Sequence, residues 1–201
     1  MEYEGLCRDD LDNVRALNRV WLKLEGSAEL RLSANRLERL AATPFLLFSF
    51  CENDDARWSC LLGERGQRDM LEQEAVASAE RRQLQVAGLG FLWELARRNP
   101  YVTRIVSGAP LHWCEQIAAS TLVRVLECAR FSLIESRFAD GTSLQRRLLG
   151  RGSALEREMR VFAQICALQS MLTSGQAAQY GRLPAAACRM SKTGRQVADE
   201  V

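Results

Sequence analysis

The chain of 201 residues is poor in the residue types and motifs on which enzyme chemistry usually depends. It has a single histidine, His112, and its seven cysteines form no Cys-x-x-Cys pair. It has no P-loop, dinucleotide-binding fingerprint, Gly-x-Ser-x-Gly elbow or zinc-protease helix. Nucleotide hydrolysis and redox-cofactor chemistry therefore lack any supporting motif. We expect a protein without a cofactor or a metal that is not an enzyme, although missing motifs do not exclude catalysis.

Long apolar runs and regular cysteine spacing are also missing. No apolar run approaches the ~18–20 residues of a membrane span, and the acidic start MEYEGLCRDD lacks the layout of a secretory signal. Cysteines scattered without regular spacing argue against a disulfide framework. We expect most of them to be small buried hydrophobes. These absences predict a cytoplasmic protein with no membrane partner.

The charge of the chain is nearly balanced but unevenly distributed. Net charge is +2, yet residues 1–100 carry 14 basic and 17 acidic side chains, whereas residues 101–201 carry 13 and 8. Arginine supplies 25 of the 27 cations. Guanidinium groups favour two-point contacts with carboxylate or phosphate. The same bias can also reflect coding composition, so charge alone names no partner.

Apolar residues recur every three or four positions in most segments, which is the spacing of a helix face. We predict an all-α fold, an irregular bundle of about seven to nine helices. The apolar content falls after residue 175, where alanine, glutamine, glycine and arginine dominate. The chain is therefore divided into a helical domain, 1–175, and a loosely ordered or disordered tail, 176–201.

The stretch 84–137 is the predicted centre of the bundle. Its first helix is apolar nearly all round, which is typical of a buried helix. Gly88 and Gly90 lie inside that helix and indicate either the close approach of a neighbouring helix or a local break. Asn99 and Pro100 then mark the start of a short helix as cap and first residue.

Gly108 and Pro110 repeat this signal, and a third helix is predicted from Pro110 towards Arg137. The helix–Asn-Pro–helix–Gly-Ala-Pro–helix layout resembles the helical ligand-binding and dimerisation domain of TetR-type repressors, over about the middle half of the chain. The resemblance implies helices that bind a ligand or a second copy. The N-terminal region shows no helix-turn-helix reader, so we do not assign the chain to that family.

Two helices, over 9–24 and 27–42, are predicted to form an N-terminal hairpin with a stop at Gly26. The run 44–51, PFLLFSFC, is the most apolar short segment and fits either a buried strand or a buried helical turn. We predict helix, because no second strand-like run exists to pair with it. Residues 52–55 are predicted to be a solvated turn that caps a short helix carrying Trp58.

A short basic helix is predicted over 143–149, and a well-marked helix follows it. Ser153 and Glu156 fit the capping-box pattern, which predicts a helix start at Ser153 and a stop at Gly175. The helix has a wide apolar face, formed by Leu155, Met159, Phe162, Ile165, Cys166, Leu168 and Leu172. We expect this face to pack against the rest of the bundle.

Two sets of residues are candidate sites. An arginine-rich face at 137–160 could meet phosphates or an acidic protein patch; its members are Arg137, Arg146, Arg147, Arg151, Arg157 and Arg160. Stacking aromatics are scarce there, so a solvated helical face is the competing interpretation. A possible pocket is formed by His112, Trp113, Cys114 and Glu115. Glu115 could hold the His112 imidazole in one tautomer, whereas a first-turn histidine beside a core tryptophan is the simpler interpretation.

We predict a non-catalytic, cytosolic regulatory or adaptor protein that acts through protein–protein contacts and associates with itself. The motivation is a surplus of large apolar side chains that either face a partner or fill the core: Phe45, Phe48, Phe50, Trp58, Trp93 and Trp113. One alternative is a nucleic-acid-associated, transcription-type regulator that uses the arginine-rich face. The other is a small-ligand-binding helical domain.

Overall fold

The computed structural model describes residues 5–25, 32–63, 78–137 and 147–180, with side chains in the last range described as far as Thr173. These ranges are mostly helical, and the prediction of an all-α fold is confirmed. The helices are α1 (Arg8–Leu24), α2 (Ala34–Ala41), α3 (Asp55–Leu62), α4 (Ala79–Arg98), α5 (Pro100–Ser107), α6 (Leu111–Ala119), α7 (Leu122–Glu127) and α8 (Arg157–Tyr180). A 3₁₀ turn (Cys128–Arg130) follows α7, and a π-helical turn (Leu148–Gly152) precedes α8. The strands β1 (Phe48–Ser49) and β2 (Glu135–Ser136) form a small antiparallel pair.

The first two helices pack against each other, as the predicted hairpin requires. On their outer edge, the guanidinium groups of Arg15 and Arg19 both donate to the Glu38 carboxylate. These hydrogen bonds, that of Arg19 first, lower the pKa of Glu38 to about 2. All three side chains are open to solvent, which screens the ion pairs, so they add little to stability. The connection 26–31 lies outside the described residues.

The run 44–51 is not helical, so that prediction is wrong. Within the run β1 pairs with β2, with Phe48 opposite Ser136 and Ser49 opposite Glu135. The partner strand follows α7 and contains no apolar alternation that would have indicated it. The apolar side chains of the run are buried in the core: Phe45, Leu46, Leu47, Phe48 and Phe50.

A buried asparagine supplies much of the hydrogen bonding that a longer ladder would have given this run. Asn18 on α1 is fully buried, and its side-chain Nδ2 donates to the carbonyl of Phe45 at 3.0 Å. Its Oδ1 accepts from the Leu47 N–H at 2.9 Å. The Leu46 N–H donates to the carbonyl of Val106 on α5 at 2.8 Å. Because buried backbone polar groups need partners, the run is held in place by groups from two distant helices.

Helix α4 is the centre of the fold, as predicted for the apolar stretch after residue 84. It packs against α1, α5, α6 and α7. A Cβ at Gly88 would lie only 2.6 Å from Cζ of Phe50, whereas a Cβ at Gly90 would have its nearest neighbour, Leu126 Cδ2, at 3.8 Å. The close approach predicted from the glycines therefore occurs at Gly88. It is made by an aromatic ring rather than by a helix, and α4 continues unbroken through both glycines.

The predicted helix boundaries around α5 are confirmed. Asn99 Oδ1 accepts from the N–H of Tyr101 at 3.0 Å and of Val102 at 3.2 Å. Pro100 is the first residue of the helix. Gly108 ends it with a φ of 69°, in the left-handed region that favours glycine. These boundaries were predictable because each residue carries its own local signal.

The single helix predicted over 110–137 is two helices, a 3₁₀ turn and the short strand β2, so that prediction is wrong. Ser120 is extended between α6 and α7, and its carbonyl accepts from Trp93 Nε1 at 2.9 Å. The Thr121 hydroxyl then caps α7 by accepting from the Arg124 N–H. Serine and threonine are good helix caps, and here the cap interrupts a sequence whose apolar spacing continues across it.

Helix α8 begins at Arg157, so the capping box predicted at Ser153 is wrong. Ser153 is buried, and its hydroxyl donates to the Leu149 carbonyl at 2.7 Å, within the π-helical turn. The helix also runs past the predicted stop at Gly175, as far as Tyr180. A glycine inside a helix costs only about 1 kcal/mol relative to alanine, so it does not by itself end one.

Two further predictions fall outside the described residues. Most of the predicted basic helix over 143–149 lies in the range 138–146, and the structure describes only its end, which enters the π-helical turn. Most of the predicted tail lies in the range 181–201. The division into a domain, 1–175, and a tail, 176–201, stays a prediction.

The large aromatic side chains fill the core. Five of the six aromatics considered as possible partner contacts are fully buried, and Trp93 is half-buried. Trp58 on α3 meets Trp113 on α6 edge to face, with ring centroids 5.1 Å apart and planes at 83°. These large apolar side chains therefore fill the core rather than face a partner.

Candidate interaction surface

Large apolar side chains at the start of α8 are open to solvent. Four of them form what we call the apolar stripe: Leu155, Met159, Phe162 and Ile165. Their exposed fractions are 81%, 41%, 61% and 39% in that order. From Met159 onwards the three-residue spacing keeps the members on one side of the helix, and Leu155 extends the stripe beyond the helix start. The prediction that all of these residues pack inwards is therefore wrong.

The opposite side of α8 faces the domain with smaller side chains. Ala163 and Ala167 are buried there, together with Met171, which lies against Gly108 at the end of α5. Burial of apolar area favours placing the largest side chains inside. Helix α8 does the reverse for Phe162, the bulkiest apolar side chain described in it, which points away from the domain. Such an arrangement is typical of a surface that meets a partner.

Helix α8 is also unusual in its charge. Its charged residues are confined to the first turn and are Arg157, Glu158 and Arg160. The range 161–180 contains no charged residue. A surface helix normally carries charged and polar side chains on the face opposite its buried one. The exposed side of α8 is therefore uncharged after its first turn; it is apolar at Met159, Phe162 and Ile165 and polar at Gln169 and Thr173.

Two arginines of α2 hold the turn that precedes α8. Arg36 Nε donates to Ser153 Oγ at 3.1 Å, and its Nη2 donates to the Leu149 carbonyl at 3.0 Å. Arg39 Nε donates to the Ser153 carbonyl at 3.0 Å. The sequence gives no sign of this role, because the carbonyl groups that accept these hydrogen bonds carry no signal in it. The arginines bring two further positive charges to the start of α8.

The predicted arginine-rich face is assembled in part around this turn. Four of its six members lie there: Arg147, Arg151, Arg157 and Arg160. The first three are exposed, and Arg160 is half-buried and donates to the Ala154 carbonyl at 2.8 Å. Arg146 lies outside the described residues. Positive charge is thus concentrated at the N-terminal end of the apolar stripe.

Arg137 does not belong to that face, because its side chain is turned into the core. Its guanidinium donates to the carbonyls of Phe48, at 3.0 Å, and Ser107, and lies 3.3 Å from Glu52 Oε1. Glu52, which we predicted in a solvated turn, is buried with it. Burial raises the pKa of the Glu52 carboxyl, and the Arg137 charge opposes that shift. The pair joins β1 to the end of β2 and to α5.

The predicted pocket residues point in two directions. Trp113 and Cys114 are buried in the core, whereas His112 and Glu115 are exposed. His112 Nε2 lies 2.7 Å from Oδ1 of Asp55, at the start of α3. Burial raises the pKa of the Cys114 thiol to about 12, so the thiol is protonated at neutral pH and a poor nucleophile. The four side chains do not converge on one cavity.

An open groove lies elsewhere, between α1 and α4. Its volume is about 640 Å³, and its walls include Leu17, Val20, Leu84 and Ala87. None of the predicted site residues lines it. The groove lies between the second half of α1 and the first half of α4, and we assign it no ligand.

Among the described residues, no group of three or more histidine, cysteine, aspartate or glutamate side chains is placed to hold a metal ion. No helix in the described ranges combines the length and the hydropathy that a bilayer crossing needs. Compared with protein families, with curated proteins and with solved structures, the chain has no match.

Proposed function

We propose that the protein is a non-catalytic, cytosolic helical adaptor or regulator that acts through protein–protein contacts at the apolar stripe. The observation that carries this proposal is the outward position of four large apolar side chains at the start of α8. Single exposed apolar residues are common on folded proteins and need no explanation. A contiguous row of them marks a contact surface.

The surroundings of the stripe support a protein partner. Arg151 and Arg157 are exposed at one end of it, and the helix beyond Arg160 carries no charge. Protein interfaces combine a centre depleted in charged residues with an enrichment in arginine. The cysteines in the described ranges are all free thiols, which supports a reducing compartment such as the cytosol.

Co-purification with two matched variants tests the proposal. The tagged full-length chain is expressed in its own cells as wild type, as Phe162→Glu and as Val123→Glu. Both positions are more than half exposed, and Val123 lies on α7, outside the stripe. We expect the same proteins to accompany the wild type and V123E, and to be lost from F162E. The same set of proteins with all three chains would contradict the proposal.

A second candidate function, nucleic-acid binding, is favoured by the position of Arg36 and Arg39 beside the exposed arginines at the start of α8. Contacts between arginine and phosphate weaken as salt rises, because they release counterions. Fluorescence anisotropy of labelled duplex DNA and RNA, at low and at physiological salt, measures this. Binding that falls with salt and that is weakened by Arg151→Gln combined with Arg157→Gln would support the function. Absence of binding at low salt would exclude it.

A further inference from the structure

The charged residues of α8 lie at one end of the apolar stripe, which allows the stripes of two identical copies to pack against each other. We propose that a second copy of this chain covers the stripe, with the α8 helices of the two copies antiparallel around a two-fold axis near Phe162. The inference rests on the proposed function, because it takes the stripe to be an interaction surface, and it goes further by naming the occupant and the geometry.

The distribution of charge along α8 favours the antiparallel arrangement. Arg157 and Arg160 lie at one end of the helix, and the range 161–180 carries no charge. With a rise of 1.5 Å per residue, an axis at Phe162 places the two copies of Arg157 about 15 Å apart along the helix direction. This exceeds the Debye length of ~8 Å at physiological salt, so their repulsion is largely screened. Each arginine then lies opposite the uncharged half of the other helix.

A parallel arrangement has the opposite consequence. Packed helices lie about 8–10 Å apart, so parallel α8 helices would bring the arginines of both copies side by side. The arginines of α2 that hold the preceding turn would add to this repulsion. The exposed Glu156 and Glu158 flank Arg157 and offset only part of this charge, because six arginines lie at this end of the stripe: Arg36, Arg39, Arg147, Arg151, Arg157 and Arg160.

The spacing of the stripe matches a two-fold axis at Phe162. Met159 and Ile165 lie three residues to either side of Phe162. In an antiparallel pair Met159 of one copy therefore opposes Ile165 of the other, and Phe162 faces its own counterpart. Every apolar member of the helical part of the stripe then meets an apolar residue. This self-complementarity is what an interface between identical copies requires.

The area of the stripe sets the expected strength of association. Four partly exposed apolar side chains amount to roughly 400 Å², within the ~300–600 Å² range of the largest patch on a typical monomer. A stable interface buries about 800 Å² on each partner. The stripe alone is about half of this, so we expect a reversible dimer whose population changes with protein concentration in the micromolar range.

Sedimentation velocity of the full-length chain over a dilution series tests the occupant. Wild type and Val123→Glu should shift from monomer to dimer with the same midpoint. Phe162→Glu should move the midpoint to at least ~10-fold higher concentration, because it places a charge at the axis. Circular dichroism confirms that the variants are folded. A wild-type chain that stays monomeric throughout, or equal midpoints for all three chains, would overturn the inference.

Disulfide trapping tests the geometry. Phe162→Cys and Leu155→Cys are compared in a background without the accessible or undescribed thiols, in which serine replaces Cys7, Cys60, Cys166 and Cys188. Mild oxidation should yield a covalent dimer from F162C. It should yield little from L155C, because Leu155 precedes Arg157, whose two copies already lie about 15 Å apart along the helix direction in the antiparallel pair. Cross-linking of L155C as efficient as that of F162C would show a parallel pair and refute the axis at Phe162.

The outcomes separate this inference from the proposed function. A chain that stays monomeric, while F162E still loses its co-purifying proteins, leaves the proposed function standing and refutes the second copy. A dimer that depends on Phe162, with co-purifying proteins that are unaffected by F162E, supports the second copy and refutes a separate partner at the stripe.

Discussion

Replacement of Asn18 by alanine removes both hydrogen-bonding groups of the amide that links α1 to the run 44–51. In the native chain these groups pair the Phe45 carbonyl and the Leu47 N–H, at 3.0 and 2.9 Å. Both backbone groups would stay buried after the substitution. An unpaired buried polar group costs about 1–3 kcal/mol, so the two together predict a loss of roughly 2–6 kcal/mol in the free energy of unfolding.

Asn18→Asp separates the two hydrogen bonds. An ionised aspartate still accepts from the Leu47 N–H, but it cannot donate to the Phe45 carbonyl and it brings a charge into the core. Burial raises the pKa of such a carboxyl above the unfolded value of ~3.9. The folded state therefore keeps the proton of this carboxyl to a higher pH than the unfolded state does. Stability falls as the pH rises from the pKa of this carboxyl in the unfolded state to its pKa in the folded state. N18D should therefore be less destabilised near pH 5 than near pH 8, whereas N18A should lack this added dependence.

Urea denaturation followed by tryptophan fluorescence measures both effects. Three of the four tryptophans are fully buried, and Trp21 lies one helical turn from Asn18, so the signal reports directly on this part of the core. Linear extrapolation gives the free energy of unfolding of each variant. A loss below about 1 kcal/mol for N18A, or the same pH dependence for N18A and N18D, would refute the role of Asn18.

Three further predictions each compare positions in the described residues. Gly88→Ala should lower the free energy of unfolding by about 1–3 kcal/mol, because the added Cβ overpacks against Phe50. Gly90→Ala should raise the free energy of unfolding by up to ~1 kcal/mol. Urea denaturation that finds G88A more stable than G90A would contradict this reasoning. Arg137→Met should lower the free energy of unfolding by about 3–5 kcal/mol, because it leaves the buried Glu52 unpaired. Arg157→Met should lower it by at most ~0.5 kcal/mol. Equal melting temperatures of the two variants would disprove this difference. A disulfide reagent at neutral pH should label the exposed thiols of the native chain but not Cys114, whose pKa burial raises to about 12; rapid labelling of Cys114, mapped by mass spectrometry, would disprove its burial.

Local signals account for the parts of the fold that were predictable. Asn99 and Pro100 define the start of α5, and Gly108 defines its end, because caps depend on residues that are adjacent in sequence. The break before α7 has a local signal as well, in Ser120 and Thr121. The apolar spacing continues through this break, and spacing alone does not distinguish one long helix from two.

The run 44–51 could not be predicted in the same way. Its partners are Asn18, Val106 and β2, which are far away in sequence and are not apolar strands. A search for a second apolar strand therefore finds nothing, although pairing exists. A short extended segment can be stabilised by single hydrogen bonds from several elements, and only the tertiary structure shows which groups supply them.

The candidate surface also depends on tertiary contacts that the sequence does not show. The sequence identifies α8 as apolar, but both Phe162 and Ala163 fit a buried face. Which of the two is buried depends on how closely α8 approaches the domain. Arginines are equally ambiguous, because Arg137 and Arg157 look alike in sequence. Arg137 turns inwards because the buried Glu52 and two backbone carbonyls accept from its guanidinium, and the sequence does not show these partners.

The distant partners of the run 44–51 also affect the synthesis of the chain. This most apolar segment leaves the ribosome well before Val106, β2 and Arg137, which hold it in the finished fold. Translation at roughly 5–20 residues per second leaves it without them for about 4–17 seconds. During that interval it resembles the apolar, uncharged segments that promote aggregation. The yield of folded protein in a cell should therefore depend on chaperones that bind nascent chains.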